Sequence, residues 1–437
     1  MANPLKAIMN IRKEELPLSL LMFSYFFLVI TSFWILKPLK KSLFIAFYDQ
    51  TGFDIVTWHL KGSQAELIAK VLNMVVAFLA VVVFTWLARR FRRQQLSLIF
   101  SSFFIACYIF FSFIISDPND LTVWSFYLFG DLFSTLMVAT FFAFLNDSVT
   151  PDSAKRLYGL VGLGGVTGGA FGTSFVRVWI DQVSISSWLW LCLAFALIIS
   201  LVAIMAGRLV SKNPPPSIEA EKQDRARKKA GNPALEGAKL VFASPYLVSI
   251  IGIVGLYEIV STIMDFQFTA TIEHYLDGPA IGRQFATVFT ITNWVSMLVQ
   301  FFLTSFIMTR FGLKTALMIL PLAAFAGSFA FLTVPILWVG SLLNTADNGF
   351  SYSINQSAKE TLYVPTTREE KYKAKAFIDM FVQRFAKSIA VGVSLVITSI
   401  FAEFSSIRWL SLATILLVAV WIFAVRFAGA RFKRMTE

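Results

Sequence analysis

Apolar residues dominate the chain in long runs that are separated by short polar intervals. A membrane-spanning helix needs about 20 consecutive, mostly apolar residues. About a dozen runs meet this requirement, at 16–47, 64–88, 95–116, 121–146, 157–179, 187–210, 244–269, 284–308, 314–333, 334–356, 376–401 and 406–427. The pattern therefore predicts an all-α polytopic membrane protein with twelve transmembrane helices.

Composition and charge support a membrane protein and indicate its orientation. The 437 residues are 57% hydrophobic, and the mean hydropathy is +0.69, which is far from a soluble domain. Lysine and arginine collect in alternate loops, and cytoplasmic loops carry this excess. We expect a multi-pass protein of the inner membrane with both termini cytoplasmic. The net charge of +12 then lies along the inner rim and needs no nucleic-acid partner. The expected partners are the lipid bilayer and a small-molecule substrate, and we expect a monomer.

The longest polar interval, from about residue 211 to residue 238, divides the chain in two. It opens with a proline run and continues with charged residues, as linkers and surface helices do. We predict an N-terminal six-helix half at 1–210, a cytoplasmic linker with a surface helix at 211–240, and a C-terminal six-helix half at 241–437. This layout resembles the major facilitator superfamily, whose halves are internal repeats.

Three lysines lie inside the first apolar run. Lys37, Lys40 and Lys41 are spaced i, i+3 and i+4, so their ammonium groups share one face of a helix. Charge within a membrane span is costly, and it usually lines a water-filled path. The lysines therefore predict an anionic substrate.

Further polar and charged residues lie within at least four other runs. They are candidate substrate-binding residues together with the three lysines: Lys70, Asp131, Glu258, Asp265, Asp347, Asn348, Lys375, Arg384 and Lys387. We expect these faces to turn toward a hydrated cavity or toward each other, because lipid exposure is unfavourable. The alternative is that acids and bases pair and only hold helices together.

The sequence offers little for catalysis. It has two histidines and two cysteines, and it shows no nucleophile–base pair, metal-ligand spacing or cofactor motif. The glycine run at 159–172 lacks the Gly-Lys-Ser/Thr ending of a phosphate-binding loop, and small residues four apart favour close helix packing. We therefore predict that the protein is not an enzyme and binds neither a cofactor nor a metal.

Three motifs resemble those of the ATP/ADP translocase family of intracellular bacteria and plastids. Residues 359–365 (KETLYVP) lead into 371–379 (KYKAKAFID), similar to the family's Tyr-x-Pro element and its K-x-K-[GA]-K-A-x-x-D motif. Residues 35–40 (ILKPLK) resemble its I-L-R-x-x-K-D element. Residues 154–160 (AKRLYGL) resemble its A-K-R-x-Y-x-L element. The order and spacing fit nearly the whole chain.

The resemblance implies a nucleotide exchanger in which Lys40 and Lys375 contact substrate phosphates, one lysine in each half. The sequence departs from the family at three places. Lys37 stands where the family usually has arginine, and Lys41 replaces an acidic residue. Residues 265–268 (DFQF) occupy the region in which exchangers tend to carry an acidic residue and a Trp-Lys pair. The expected substrate is therefore a nucleotide or a related phosphorylated anion, moved by alternating access.

Two other functions are compatible with the same pattern. One is proton-coupled transport of another solute, with Asp131, Glu258 or Asp347 titrating. The other is a non-transporting helical subunit of a membrane complex. Dependence on a pH gradient without a counter-substrate would favour the first. Purification as a stable, nucleotide-binding monomer would count against the second.

Overall fold

A computed structural model describes residues 12–55, 58–149, 151–212, 233–367, 370, 374–401 and 403–436, and these residues are predominantly helical. The helices are α1 Leu16–Tyr48, α2 Gly62–Arg90, α3 Arg93–Ile114, α4 Asp120–Ser148, α5 Pro151–Trp179, α6 Ile185–Lys212, α7 Pro233–Ala243, α8 Pro245–Tyr275, α9 Pro279–Leu298, α10 Ser305–Arg310, α11 Gly312–Thr333, α12 Leu337–Phe350, α13 Gln356–Leu362, α14 Lys375–Phe377, α15 Gln383–Ile400 and α16 Trp409–Thr436. Two short antiparallel strands, β1 Phe53–Ile55 and β2 Trp58–Leu60, connect α1 to α2.

Ten helical stretches of the described chain are long and apolar enough to cross a bilayer, and each corresponds to one of the runs found in the sequence. The runs at 334–356 and 376–401 are also helical but are not among the ten. They contain π-helical turns at Ser351–Asn355 and Ile378–Val382, and a third π-helical turn, Val299–Thr304, lies within a stretch that is among the ten. The chain is therefore a multi-pass helical protein, and the count of twelve spans stays a prediction.

The described residues form two compact units. Unit 1 contains residues 12–51, 72–149, 151–212 and 277–293, and unit 2 contains 52–55, 58–71, 233–276 and 294–436 without the gaps given above. The segments 58–71 and 277–293 each belong to a compact unit whose other segments are distant in sequence. The division at 210 and 240 stays a prediction, and residues 213–232 of the expected linker lie outside the described residues.

In unit 1, α1 and α5 pack closely along a line of glycines. Gly164, Gly168 and Gly172 are four residues apart, and a Cβ placed on each would lie 2.6–2.9 Å from a backbone carbonyl oxygen of α1. Those carbonyls belong to Phe23, Phe27 and Thr31, which are also four residues apart. Only a residue without a side chain fits this contact, so the glycine run serves helix packing.

In unit 2, α8 is the central helix and holds the start of α2. Glu273 of α8 accepts a hydrogen bond from the backbone N–H of Ser63, at 3.1 Å, in the first turn of α2. A carboxylate at a helix N-terminus satisfies N–H groups that have no partner within the helix. Two turns further along, Lys70 of α2 meets Asp265 of α8 at 2.5 Å. Residues 62–71 are therefore anchored to α8 at two points.

Candidate functional site

The lysines of the first apolar run lie within one uninterrupted helix. Helix α1 continues through Pro38, and the side chains around it are buried. Lys40 and Lys41 are each 4% exposed, whereas Lys37 is half-buried. Burial of ammonium groups inside an apolar helix requires compensating partners.

Lys40 finds its partners on α4. Its ammonium forms an ion pair with the Oδ1 atom of Asp131, and it lies 4.2 Å from the centre of the Tyr127 ring. The other carboxylate oxygen of Asp131 accepts a hydrogen bond of 3.0 Å from the Asn73 amide. Position 130 lies close to the lysine, and a Cβ there would lie 2.7 Å from Lys40 Cδ, so a side chain at this position displaces Lys40. One base, one acid and one ring thus form a compact group in unit 1.

Lys37 lies over aromatic rings. Its Nζ atom is 4.5 Å from the centre of the Trp34 ring, 4.9 Å from that of Phe289 and 5.9 Å from that of Phe33. Such cation–π contacts contribute about 0.5–2 kcal/mol, and more when they are desolvated. Phe289 comes from α9, so a residue distant in sequence completes the group.

Lys41 contacts the same part of α9. Its Nζ atom lies 5.2 Å from the centre of the Phe285 ring. Phe285 and Phe289 are four residues apart and therefore share one face of α9. All three lysines of α1 thus lie over aromatic rings, and Lys40 combines its ring with the acid described above.

The candidate residues of α2, α8 and α12 form a polar cluster in unit 2. Lys70 lies 2.5 Å from Asp265 and 3.5 Å from Glu66, whose side chain is 1% exposed. The second oxygen of Asp265 accepts a hydrogen bond of 3.2 Å from the amide of Asn344 on α12. The predicted polar faces of the seventh and tenth runs therefore meet each other here.

The two candidate residues of α12, Asp347 and Asn348, also make hydrogen bonds within unit 2. Asp347 accepts a hydrogen bond of 2.5 Å from the Ser261 hydroxyl of α8. The amide of Asn348 donates to the backbone oxygen of Asn344, at 3.1 Å. Polar side chains within a span thus bond across helices and along their own helix, as expected in an apolar environment.

The basic side chains in and next to the eleventh run differ in how far they are buried. Lys375 lies 2.5 Å from Glu360 of α13 and 5.8 Å from the centre of the Tyr363 ring. Lys387 is exposed and lies 3.5 Å from Glu258 of α8, while Arg384 is half-buried. Two further motif lysines, at 371 and 373, lie outside the described residues.

The structure brings the twelve candidate residues into two sets. Lys37, Lys40, Lys41 and Asp131 belong to unit 1. The other eight belong to unit 2, namely Lys70, Glu258, Asp265, Asp347, Asn348, Lys375, Arg384 and Lys387. Acid–base pairing, the alternative raised for single residues, occurs at Lys40, Lys70, Lys375 and Lys387. Each of these ammonium groups therefore has a counter-ion within its own unit.

Several side chains that contact the candidate lysines were not predicted from the sequence. Glu66 lies four residues before Lys70, and this spacing on one helical face could have revealed it. Phe285 and Phe289 carry no comparable signal, because the chain contains 46 phenylalanines. Their identification requires knowledge of which helices pack together.

Two family models match the chain. The model described as Major Facilitator Superfamily matches residues 18–368. The model described as TLC ATP/ADP transporter matches residues 332–432, which include α12 to α15 and the lysines at 375 and 387. The second match confirms the resemblance that the motifs indicated.

Curated relatives carry the same description. ADP,ATP carrier protein 1 of Arabidopsis thaliana chloroplasts is 24% identical over 355 residues, which are 72% of this chain and 55% of the relative. The chain thus spans about half the length of that plastid carrier. ADP,ATP carrier protein 3 of Rickettsia bellii is 22% identical over 96% of this chain and 95% of its own length.

Solved structures agree with the fold. The nucleoside transporter NupG (D323A mutant) superposes with a TM-score of 0.66 at 14% sequence identity, and the superposition covers 96% of this chain and all of that one. At this identity the similarity concerns the arrangement of helices alone.

Proposed function

The chain belongs to the Major Facilitator Superfamily, and on this premise we propose that it is a secondary active transporter that exchanges nucleotides or closely related phosphorylated anions. Two findings support the substrate class. Residues 332–432, near the C-terminus, match the ATP/ADP transporter model, and relatives from chloroplasts and from Rickettsia bellii are named ADP,ATP carrier proteins. Transport proceeds by alternating access, and the protein catalyses no chemical step.

The observation that carries the proposal is the burial of Lys40 within an apolar span. An ammonium group that is 4% exposed in such a helix is costly unless it has a function or a partner. Asp131 supplies the partner on α4. A substrate phosphate competes with this carboxylate, since it offers several charged oxygens to the same ammonium group.

Lys37 and Lys41 contribute to the same anion site. They lie three residues before and one residue after Lys40, which concentrates positive charge on one stretch of α1. This charge attracts a phosphate, and phosphate binding favours the loaded form of the transporter. In unit 2, Lys375 takes the equivalent role, with Glu360 as its counter-ion. Lys387 and Arg384 add positive charge along the same stretch.

The distribution of basic residues supports an inner-membrane location with both termini cytoplasmic. The ten helical stretches long enough to cross the bilayer support the multi-pass arrangement. In this orientation the cytoplasmic side carries the excess of lysine and arginine. Reactivity of cysteines introduced near either terminus toward an impermeant maleimide, in intact and permeabilised cells, tests this topology.

The role of Lys40 is tested by variants that separate substrate binding from helix pairing. Lys40→Ala abolishes nucleotide uptake by proteoliposomes if the ammonium binds phosphate. It also leaves Asp131 without its counter-ion, and breaking a buried pair costs about 3–5 kcal/mol. The double variant Lys40→Ala/Asp131→Ala removes both charges and so restores the charge balance.

We expect the double variant to regain expression and thermal stability but not uptake. Asp131→Ala alone serves as the matched control for loss of the acid. If the double variant transports nucleotides like the wild type, Lys40 only holds α1 against α4, and the proposed phosphate-binding role is wrong.

A further inference from the structure

Lys37 lies beside two buried aromatic rings, which a site for an anion alone would not require. Trp34 and Phe289 are buried, with 5% and 1% of their surfaces exposed, whereas Lys37 is half-buried. The ammonium lies 4.5 Å from the centre of the Trp34 ring. A flexible lysine side chain therefore covers one face of an otherwise enclosed indole.

We propose that Trp34 is the stacking surface of a nucleobase subsite and that Lys37 covers this surface while the transporter is empty. The inference deepens the proposed function and rests on it. A phosphate group attracts an ammonium more strongly than a ring face does. When Lys37 turns to the phosphates, the indole face becomes available to the base of the same nucleotide.

The surroundings hold the indole in one position. Phe289 packs edge-on against Trp34, with ring centres 5.9 Å apart and planes at 66°. On the α5 side, a Cβ on Gly169 would lie 3.1 Å from Trp34 Nε1, so this position needs glycine. A fixed aromatic surface is what base stacking requires, and stacking is tolerant of base identity.

Asn293 supplies a polar group beside the indole. Its Nδ2 atom donates to the backbone oxygen of Phe289 at 2.9 Å. Its Oδ1 atom faces the position where a Cβ of Gly169 would lie, at 2.6 Å. With the amide nitrogen engaged, the remaining oxygen can accept a hydrogen bond. The matching group on a base is an exocyclic amine, as adenine carries at C6.

The test compares ligands that share phosphates and differ in the base. Dissociation constants for ATP, inosine triphosphate and inorganic tripolyphosphate are measured on the purified full chain in detergent. We expect Trp34→Leu to weaken ATP binding about tenfold, within the range that base stacking supplies. Tripolyphosphate binding stays unchanged, and Trp34→Phe retains ATP binding.

Asn293→Ala provides a second, milder variant. Adenine and hypoxanthine differ at C6, where one has an amine and the other a carbonyl oxygen. We expect the wild type to prefer ATP over inosine triphosphate, and Asn293→Ala to remove this preference without affecting tripolyphosphate. This comparison decides the subsite if Trp34→Leu proves unstable.

The possible outcomes distinguish a failure of the base subsite from a failure of the proposed transport function. If the wild type binds tripolyphosphate as tightly as ATP, the base subsite is wrong while the anion carrier stands. Equal losses of ATP and tripolyphosphate binding in Trp34→Leu also overturn the subsite, because the tryptophan then only positions Lys37. Binding of neither ligand by the wild type rejects the proposed function itself.

Discussion

Lys40 illustrates what a sequence reveals about a single residue and what it does not. Its spacing from Lys37 and Lys41 identified it as a member of a charged face in an apolar run. The sequence also showed Asp131 as a charge in another run. It did not show that these two residues pair, because several acids within the spans were equally available. Pairing depends on tertiary packing, here on α4 approaching α1.

Gly130 is the residue that permits this approach. We predict that Gly130→Ala displaces the Lys40 side chain, since the new Cβ would lie 2.7 Å from Cδ. The displaced atoms belong to a flexible side chain, so the melting temperature changes little. The KM for nucleotide uptake rises about tenfold, which corresponds to roughly 1.4 kcal/mol of binding energy.

Gly255→Ala on α8 is a suitable control, because its Cβ would meet only Val382 at an ordinary contact distance of 3.5 Å. An unchanged KM in Gly130→Ala would show that Lys40 needs no defined position for transport.

At the scale of elements, hydrophobic patterning identified the helices and largely their bounds. The run at 16–47 is helix α1, and the run at 95–116 is α3. The π-helical turns at 351–355 and 378–382 were not predicted from the sequence. A π-helical turn adds one residue to an α-helix, and the hydrophobic pattern then looks the same as one in which the polar face has shifted. Both turns lie in runs that contain candidate substrate-binding residues. The sequence therefore located these helices but not their interruptions.

The glycine contact between α1 and α5 leads to a matched pair of substitutions. We predict that Gly168→Ala lowers the free energy of unfolding by about 1–3 kcal/mol, as overpacking does, because its Cβ would lie 2.6 Å from the backbone oxygen of Phe27. Gly162→Ala makes the same chemical change in the same helix, where a Cβ meets nothing within 4 Å. It is neutral or stabilises by about 0.5–1 kcal/mol.

Melting temperatures of the two variants in detergent test this contrast. Equal melting temperatures for Gly162→Ala and Gly168→Ala would mean that α5 can move away from α1 without loss, contrary to the close contact described above.

For the molecule as a whole, the sequence predicted the fold class and the superfamily. The solved structures agree with the fold, and the matching family model confirms the superfamily. The sequence did not reveal which segments belong to which compact unit. Residues 58–71 follow unit 2 because Ser63 and Lys70 bond to Glu273 and Asp265. Contacts of this kind depend on which faces meet, and no pattern within one segment encodes them.

Counter-exchange in proteoliposomes tests most directly whether this molecule exchanges nucleotides. Purified protein is reconstituted into vesicles that are either preloaded with ADP or empty, and labelled ATP is added outside. We expect labelled ATP to enter only the preloaded vesicles, and we expect a proton ionophore to have no effect on this uptake. Uptake into empty vesicles that an ionophore abolishes would contradict this expectation and indicate proton-coupled transport instead.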